Sequence, residues 1–468
     1  MTAIDTLISE ETLAEFVLGQ RWFGSKSREV AGISVLESIP ILEEDPRLAL
    51  AIIEVRFHPG THELYQLPIG RRPSASGWQH GIICQDDEHI VYDAMTDPAF
   101  VREVVRLMAS GTDVETPAGV AEFRSPDGRP VPVPDDVRPL GAEQSNSSVV
   151  LDEKQVLKAF RRLGAGVNPE LEMLHFLSAH GFDHIAPLRA WYSHTGRLID
   201  ATLGVVQDFV PGSTDGWDLV LDVLRSDDPH RFVAEARTLG EITGQMHTAL
   251  ASDSQDEAFA PADTSTEALG LLTATVDEEI ERIFRDLPQD VGPLQPIAGR
   301  GQEVRELLGA LTVGSAGRII RHHGDYHLGQ VLRGQDGGWV VLDFEGEPAR
   351  TLAERRAKRS PLRDVAGMLR SFAYAASASR ILNGVPAPAG WEDAVREAFL
   401  EGYLAEADQT LLPPGRQNVD RLLNVFELEK AVYELRYEID HRPDWVSIPV
   451  AGIARMLELD DDEEATPA

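Results

Sequence analysis

Arg321–Arg333 reads RHHGDYHLGQVLR, and a few residues on Gly338–Pro348 reads GWVVLDFEGEP. The apolar run Trp339–Leu342 has the length of a buried strand, follows a turn at Asp336–Gly338, and delivers Asp343 at its end. Upstream, a His-Gly-Asp turn is followed by Gln330, five residues past Asp325. Taken singly, each of these is ordinary turn chemistry: a polar cap, or an Asp where a strand stops. As an ordered set joined by apolar strands, Asp325, Gln330 and Asp343 place oxygen-bearing side chains together, with Gln330 and Asp343 on opposite sides of a hairpin.

Phosphoryl transfer needs those parts: a carboxylate that takes the acceptor hydroxyl's proton, and oxygen ligands for Mg²⁺. Asp325 suits the first task; Gln330 and Asp343 suit the second. His323 and His327 stand at i and i+4, but no third ligand cluster accompanies them and Gly324 interrupts any helix. A zinc site is not expected. His323 is read as a buttress for the loop and His327 as structural.

Composition sets the wider bounds. A chain of 468 residues is expected to form about two to four compact units. With 43% hydrophobic and 26% charged residues it has ample apolar side chain for a core. Lys+Arg number 43 against 77 Asp+Glu, and the net charge of −34 disfavours binding to nucleic-acid backbones or anionic membrane surfaces. The single cysteine, Cys84, excludes an internal disulfide and a multi-thiolate zinc site. The N-terminal MTAIDTLISEETLAEF is acidic where a signal peptide would be basic, and no run approaches the ~20 apolar residues of a spanning helix. A soluble cytoplasmic protein is expected.

Along the chain, Ser9 is a plausible cap for a short helix whose Leu13, Phe16 and Val17 share a face, and QRWFGSK (Gln20–Lys26) breaks it. From about Ile33 to Tyr92, short apolar runs separated by Pro/Gly turns predict a small β-rich unit. Asp97–Ala109 is an amphipathic helix, and 116–140 a Pro- and Asp-rich connection. Strands follow at Ser148–Leu151 and Gln155–Phe160 around a turn at Asp152–Glu153. A helix then opens at Pro169 behind Asn168. Further strands are expected near Ala186–Tyr192 and Leu203–Phe209. Beyond Gly212 the pattern is helical, save for Ile319–Leu342, and the charged tail LELDDDEEATPA is expected to fray. The reading is α+β, with units at 1–92, 93–210 and 211–468.

HGDYHLGQVLR with DFEGEP, then LAERRAKRSPLRDVAGMLRSFAYAA, resembles the actinobacterial maltokinases, within the wider aminoglycoside-phosphotransferase and eukaryotic-like kinase group. The likeness runs from QRWFGSK to LEKAVYELRYEIDHRPDWVSIP and is strongest across the HGD-to-DFEGEP segment. It implies a bilobal protein-kinase-like fold: a β-rich N-terminal lobe with an extra N-terminal cap unit, and a mainly helical C-terminal lobe. The wider group has Asn where this chain has Gln330, one methylene longer; the maltokinase branch shares the Gln. The resemblance also makes Asp364, by its position a helix N-cap, a residue that braces the catalytic loop.

A kinase further needs a phosphate-covering loop, a strand lysine and a helix carboxylate paired with it. No GxGxxG or Walker loop is present. Ser145, Asn146 and Ser147, within Gln144–Ser148, offer small polar side chains and backbone N–H groups for phosphate oxygens. Lys158 competes with Arg161 and Arg162 by spacing, and the resemblance decides for Lys158. Glu172 or Glu170 can pair with it, Glu172 being favoured by resemblance. Gln207–Phe209 resembles the hinge that binds adenine through backbone groups. Glu345 and Glu347 flank Asp343 without an assigned role, and the basic run Arg355–Arg359 reads as a solvated helix end.

For the acceptor, sugar recognition needs polar groups beside an aromatic platform. Phe426–Tyr437 supplies helically spaced Glu427, Lys430 and Glu434, with Tyr433 and Tyr437 among them, and Asp444 and Trp445 follow. Tyr433 and Glu434 are the substrate candidates. The resemblance implies an enzyme, an ATP:sugar phosphotransferase using ATP and Mg²⁺, that converts maltose to maltose 1-phosphate on the way to α-glucan, with trehalose synthase as a partner. Two alternatives remain: a kinase of another sugar or aminosugar such as glucosamine or an aminoglycoside, and a catalytically silent nucleotide-binding partner of a trehalose–maltose interconverting enzyme.

Overall fold

A computed structural model describes residues 8–58, 60–141, 145–287, 292–310, 316–348 and 350–464. It divides into two compact units: one running to Ser178 and including Ala186–Gly212 and Pro348–Arg355, the other Ala179–Ile185, Ser213–Glu347 and Arg356 onward.

The first unit begins with α1 (Glu10–Gly19), whose first turn is capped by the Ser9 hydroxyl accepting from Thr12 N–H. Strands β1 (Val30–Leu42), β2 (Arg47–Phe57), β3 (His62–Pro73), β4 (Ile82–Gln85) and β5 (His89–Asp93) form an antiparallel sheet in the order β1-β2-β3-β5-β4. Helix α2 (Pro98–Ser110) follows, with Asp97 as its cap and Pro98 at its first position. A second sheet has the order β6-β7-β12-β13-β10-β9-β8. Its strands are β6 (Asp113–Glu115), β7 (Gly119–Arg124), β8 (Val137–Pro139), β9 (Ser147–Leu151), β10 (Gln155–Ala159), β12 (Leu188–Gly196) and β13 (Ala201–Asp208). Between β10 and α3 (Pro169–Ala179) lies β11 (Arg162–Leu163), which leaves this sheet and pairs with β3.

Strand β2 shows why the first unit coheres. Side chains alternate across a strand. Leu48, Leu50 and Ile52 join a core shared with α2 and with Val149, Leu157 and Leu203 of the second sheet. Ala49, Ala51, Ile53 and Val55 turn the other way onto Leu13, Val17, Trp22 and Phe23. The run reads as continuously apolar because both of its faces are covered.

The second unit contains β14 (Thr214–Asp215), α4 (Gly216–Leu224), α5 (Phe232–Leu250), β15 (Ala262–Asp263), α6 (Thr266–Asp286), α7 (Gly301–Ala310), β16 (Arg318–Ile319), β17 (Val331–Arg333) and β18 (Trp339–Val341). After α8 (Leu352–Arg355), which belongs to the first unit, come α9 (Leu362–Asn383), α10 (Trp391–Glu406), α11 (Arg416–His441) and α12 (Ser447–Glu464). The β-rich first unit and helical second agree with the α+β expectation. Two local readings are corrected. Lys358 is not in a solvated helix end but donates to the carbonyls of Glu257 and Ala260, at 2.7 and 2.6 Å. The helical backbone of α12 continues to Glu464, where a frayed tail was expected, in keeping with the helix propensity of Leu and Glu. Among the described residues, no helix is long and apolar enough to cross a membrane.

Helices α5 and α10 meet through glycines. A Cβ on Gly240 would collide with the Phe399 carbonyl, and one on Gly402 with the Arg237 carbonyl. Backbone cannot yield as a side-chain tip can. Gly402→Ala is therefore expected to lower stability by about 2 kcal/mol or more, measured as a urea midpoint. Gly270→Ala, at a helical position with nothing within 4 Å, should instead add about 0.5–1 kcal/mol.

Candidate active site

The site in the second unit is built around one buried carboxylate. Asp364 lies in the first turn of α9. Its oxygens accept from the backbone N–H of His323 (2.7 Å) and of Gly324 (2.9 Å) and from His247 Nε2 (3.1 Å). Burial opposes its charge, but the imidazoles of His322, His247 and His323 outweigh that and hold the carboxyl well below the usual range. Two successive amides can face one carboxylate because Gly324 sits at φ +85. His247, on α5, also meets the Tyr403 hydroxyl at 3.2 Å. One turn before it, Thr243 meets the hydroxyl of Tyr326 at 3.0 Å. Neither α5 residue figured in the sequence reading; nothing local in GQMH distinguishes a buried histidine with a distant partner.

Helix α9 supports the rest of the loop. Ser371 accepts the Leu328 N–H at 3.0 Å, and Gly367 lies under the Tyr326 carbonyl, whose oxygen would be 2.6 Å from any Cβ there. His323 donates from Nε2 to the Leu342 carbonyl (2.7 Å) and accepts the Asp325 N–H on Nδ1 (3.4 Å). It thereby ties Asp325 to the strand end that delivers Asp343. Gln330 Nε2 donates to Asp343 Oδ2 at 3.1 Å, and Leu342 N–H reaches the Gln330 carbonyl at 2.9 Å. Asp343 itself adopts φ 60, a left-handed conformation that a non-glycine residue holds only when its surroundings enforce it. The carboxylate and amide oxygens of Asp343 and Gln330 are hard donors of the kind that fit Mg²⁺. His327 accepts the Gly329 N–H at 3.1 Å and has Nε2 3.9 Å from Asp325 Oδ2. Burial, joined by Lys430, pushes its pKa down against the pull of Asp325.

The nucleotide-binding candidates lie in the first unit. Lys158 Nζ donates to Glu170 Oε2 at 3.0 Å, with the carboxylate 1% and the lysine 13% exposed. The carboxylate is also fixed by Gln207 Nε2 (2.9 Å), while the Glu170 N–H is capped by Asn168 Oδ1 (2.8 Å). The favoured partner, Glu172, is thus corrected to Glu170. The two are about 200° apart round the helix, and only the phase at which α3 starts decides which meets β10. Arg161 and Arg162 are engaged elsewhere, with Asp93 (2.7 Å) and Glu63 (2.9 Å). The N–H of Phe209 is taken by the Lys154 carbonyl at 2.8 Å. Of the expected hinge, then, Gln207 has its side chain on Glu170 and Phe209 its N–H on the β9–β10 hairpin. Ser145 is exposed and Asn146 half-buried. Ser147 opens β9, its hydroxyl accepting from Arg161 Nε at 2.8 Å, so it belongs to a strand. Gln144 lies outside the described residues.

On α11 the acceptor candidates separate onto two faces. Glu427, Glu434 and Glu438 recur at i, i+7 and i+11 and point inward. Glu434 Oε2 is held by Arg370 Nη2 at 2.6 Å and Glu427 by Arg396 at 2.8 Å. Lys430, Tyr433 and Tyr437 recur at i, i+3 and i+7, roughly 90° away, and the tyrosines are 46% and 42% exposed. Glu434 is therefore not on the face of Tyr433: adjacent residues never are on a helix. Lys430 brings that face towards the His-Gly-Asp loop, since its Nζ is 3.5 Å from where a Cβ on Gly367, the residue under the Tyr326 carbonyl, would be.

Residues 16–97 match the maltokinase N-terminal cap domain, and residues 136–409 match the phosphotransferase enzyme family. The chain belongs to the phosphotransferase enzyme family. This phosphotransferase carries a maltokinase-type cap ahead of its kinase-like fold. It is 30% identical over 335 residues to a glucosamine kinase of Streptacidiphilus jiangxiensis, covering 68% of this chain and 73% of that one. A glucosamine kinase of Mycolicibacterium smegmatis is 28% identical over 341 residues, covering 69% and 79%. The solved structure of a glucosamine kinase in complex with glucosamine, ADP and inorganic phosphate shares the fold, with a TM-score of 0.70 at 21% identity over 92% of this chain and 97% of that one.

Two outcomes follow from the loop's construction. Gly367→Ala should push the Tyr326 carbonyl and misplace Asp325, lowering turnover about 100-fold with a smaller change in thermal midpoint; steady-state kinetics beside a melting curve checks this. Burial pushes the His322 imidazole down from 6.5 to about 4. Between those values the unfolded chain binds the extra proton, so stability should fall as pH drops from about 6.5 to 4. Below that window Asp364 takes over, since the unfolded chain protonates that carboxyl before the folded one does. His322→Gln should flatten the first part of the urea-midpoint profile; an unchanged slope would show that His322 is not its source.

Proposed function

We propose that this phosphotransferase moves the γ-phosphoryl group of ATP onto the anomeric hydroxyl of maltose, giving ADP and maltose 1-phosphate. The observation that carries the proposal is the Lys430–Tyr433–Tyr437 face. It starts at the catalytic loop and extends about 10 Å along α11, room for two linked hexose rings, with exposed aromatic surface for their apolar sides. The maltokinase-type cap at residues 16–97 supports the same acceptor.

In this reading Asp325 orients the acceptor hydroxyl and takes its proton as the bond to phosphorus forms, positioning counting for more than basicity. Lys158, held by Glu170, neutralises nucleotide phosphate charge, while Ser145 and Asn146, ahead of β9, contribute to phosphate closure. Gln330 and Asp343 would hold Mg²⁺, which supplies charge compensation at the β- and γ-phosphates when bound. Residues 1–92 act as the cap, 93–210 as the nucleotide-binding lobe, and 211–468 carry the catalytic and acceptor groups. A trehalose–maltose interconverting enzyme such as trehalose synthase would supply the maltose, in the cytoplasm where ATP is available.

A second reading, a glucosamine kinase, is favoured by the names of the relatives at 30% and 28% identity. Transfer from ATP–Mg²⁺ across maltose, glucose, glucosamine and trehalose, with the phosphorylated position identified, decides between them. Maltose 1-phosphate as the preferred product is expected. Preferred transfer to glucosamine would replace the acceptor, and ATP binding without any transfer would leave a silent partner protein. Asp325→Asn should lower turnover by about 100-fold or more while leaving ATP affinity near that of the parent.

A further inference from the structure

Helix α9 makes two sets of contacts on neighbouring faces. Asp364, Gly367 and Ser371, at i, i+3 and i+7, meet the catalytic loop. Arg363, Arg370 and Tyr374, at i, i+7 and i+11, meet α11. Arg370 grips Glu434 Oε2 through Nε (3.1 Å) and Nη2 (2.6 Å). One turn on, the Tyr374 hydroxyl donates to Glu438 Oε1 at 3.2 Å. Both rungs join residues 64 apart in sequence, so they define one register between the helices. A slip by a turn, about 5.4 Å, breaks both. Arg363 adds a pair with Glu429 at 2.9 Å.

The arrangement is deliberate in its packing. Arg370 is 1% exposed, and a Cβ on Gly452 of α12 would overlap its guanidinium, so a glycine on a third helix makes the room. A buried ion pair is a weak source of stability beside apolar side chains of the same volume, but its directional bonds fix how two elements align. Glu434 is the neighbour of Tyr433 and lies one turn beyond Lys430.

We infer that Arg370 is a positioning residue for the acceptor site: through Glu434 it sets the height of the Lys430–Tyr433–Tyr437 face against the loop that presents Asp325. The inference rests on the reading of that face as the acceptor platform. One helix thereby holds both the catalytic carboxylate and the surface that brings the hydroxyl to it.

Arg370→Met alone would leave Glu434 buried beside a vacant counter-charge and risks failing to fold, so the informative protein is full-length R370M/E434M, in which both charges are replaced by apolar groups. Its thermal midpoint and KM for ATP should stay near the parent's, while KM for maltose (or for glucosamine, if the panel selects it) rises about ten- to a hundred-fold. Tyr374→Phe deletes one hydroxyl of the second rung and should raise the same KM about two- to five-fold. Parental acceptor KM in folded R370M/E434M or, should that protein not fold, in Tyr374→Phe overturns the inference. Tyr433→Ala separates the two levels. If it leaves acceptor KM unchanged, the platform reading fails and takes the inference with it. If it raises KM while the α9 variants do not, the register inference alone fails.

Discussion

The carboxylate of Asp364, buried and met by two consecutive backbone amides, is the interaction on which the build of the second unit's candidate site depends. A charge in that position without partners would cost several kcal/mol. With His323, Gly324 and His247 all donating to it, the same charge becomes a fixed point. The amides can converge on it only if the chain bends through Gly324, the residue immediately before Asp325. The helix bearing Asp364 then supports the loop twice more, with a glycine and a serine, and α5 closes the far side with Thr243 and His247.

A second constraint acts at the hairpin. Asp343 is held in a left-handed conformation at the end of β18, with Gln330 bonded to its carboxylate and His323 bonded to the carbonyl before it. Neither a turn nor a strand end requires that conformation of an aspartate. It costs on the order of 1–3 kcal/mol, and the bonds on both sides keep it in place. Gln330 and Asp343 thus arrive as a pair already oriented by their mutual hydrogen bond.

Much of this was legible in the chain because it is local. Gln330 and Asp343 flank one hairpin, with Asp325 in the turn just ahead of it, and apolar strand spacing is enough to bring Gln330 and Asp343 together. The helix opening at Pro169 was equally plain, whereas spacing left Lys158 level with Arg161 and Arg162, and the family resemblance singled it out. What escaped was whatever depends on rotation or distance. Glu170 and Glu172 differ only in helical phase, and Tyr433 and Glu434 only by one step round α11, which periodicity indicates but packing decides. His247 meets Asp364 across 117 residues, with no pattern to announce it. Gly367 was passed over because a glycine inside a helix speaks only of space, and the space is defined by another segment. The continuous apolar run of β2 was read as a strand, but that it feeds two different cores is a property of the elements on either side.

The return of β11 to the first sheet has a further consequence. Arg162 and Leu163 leave the second sheet to pair with Tyr65 and Leu64 on β3, and Leu48, Leu50 and Ile52 share a core with Val149, Leu157 and Leu203. The amino-terminal sheet is therefore stitched in rather than appended. Its excision would bare one wall of a core and leave β11 without its partner strand, so the piece cannot be traded between proteins like a detachable module. A side-chain change on either face of that shared core is felt by both sheets at once.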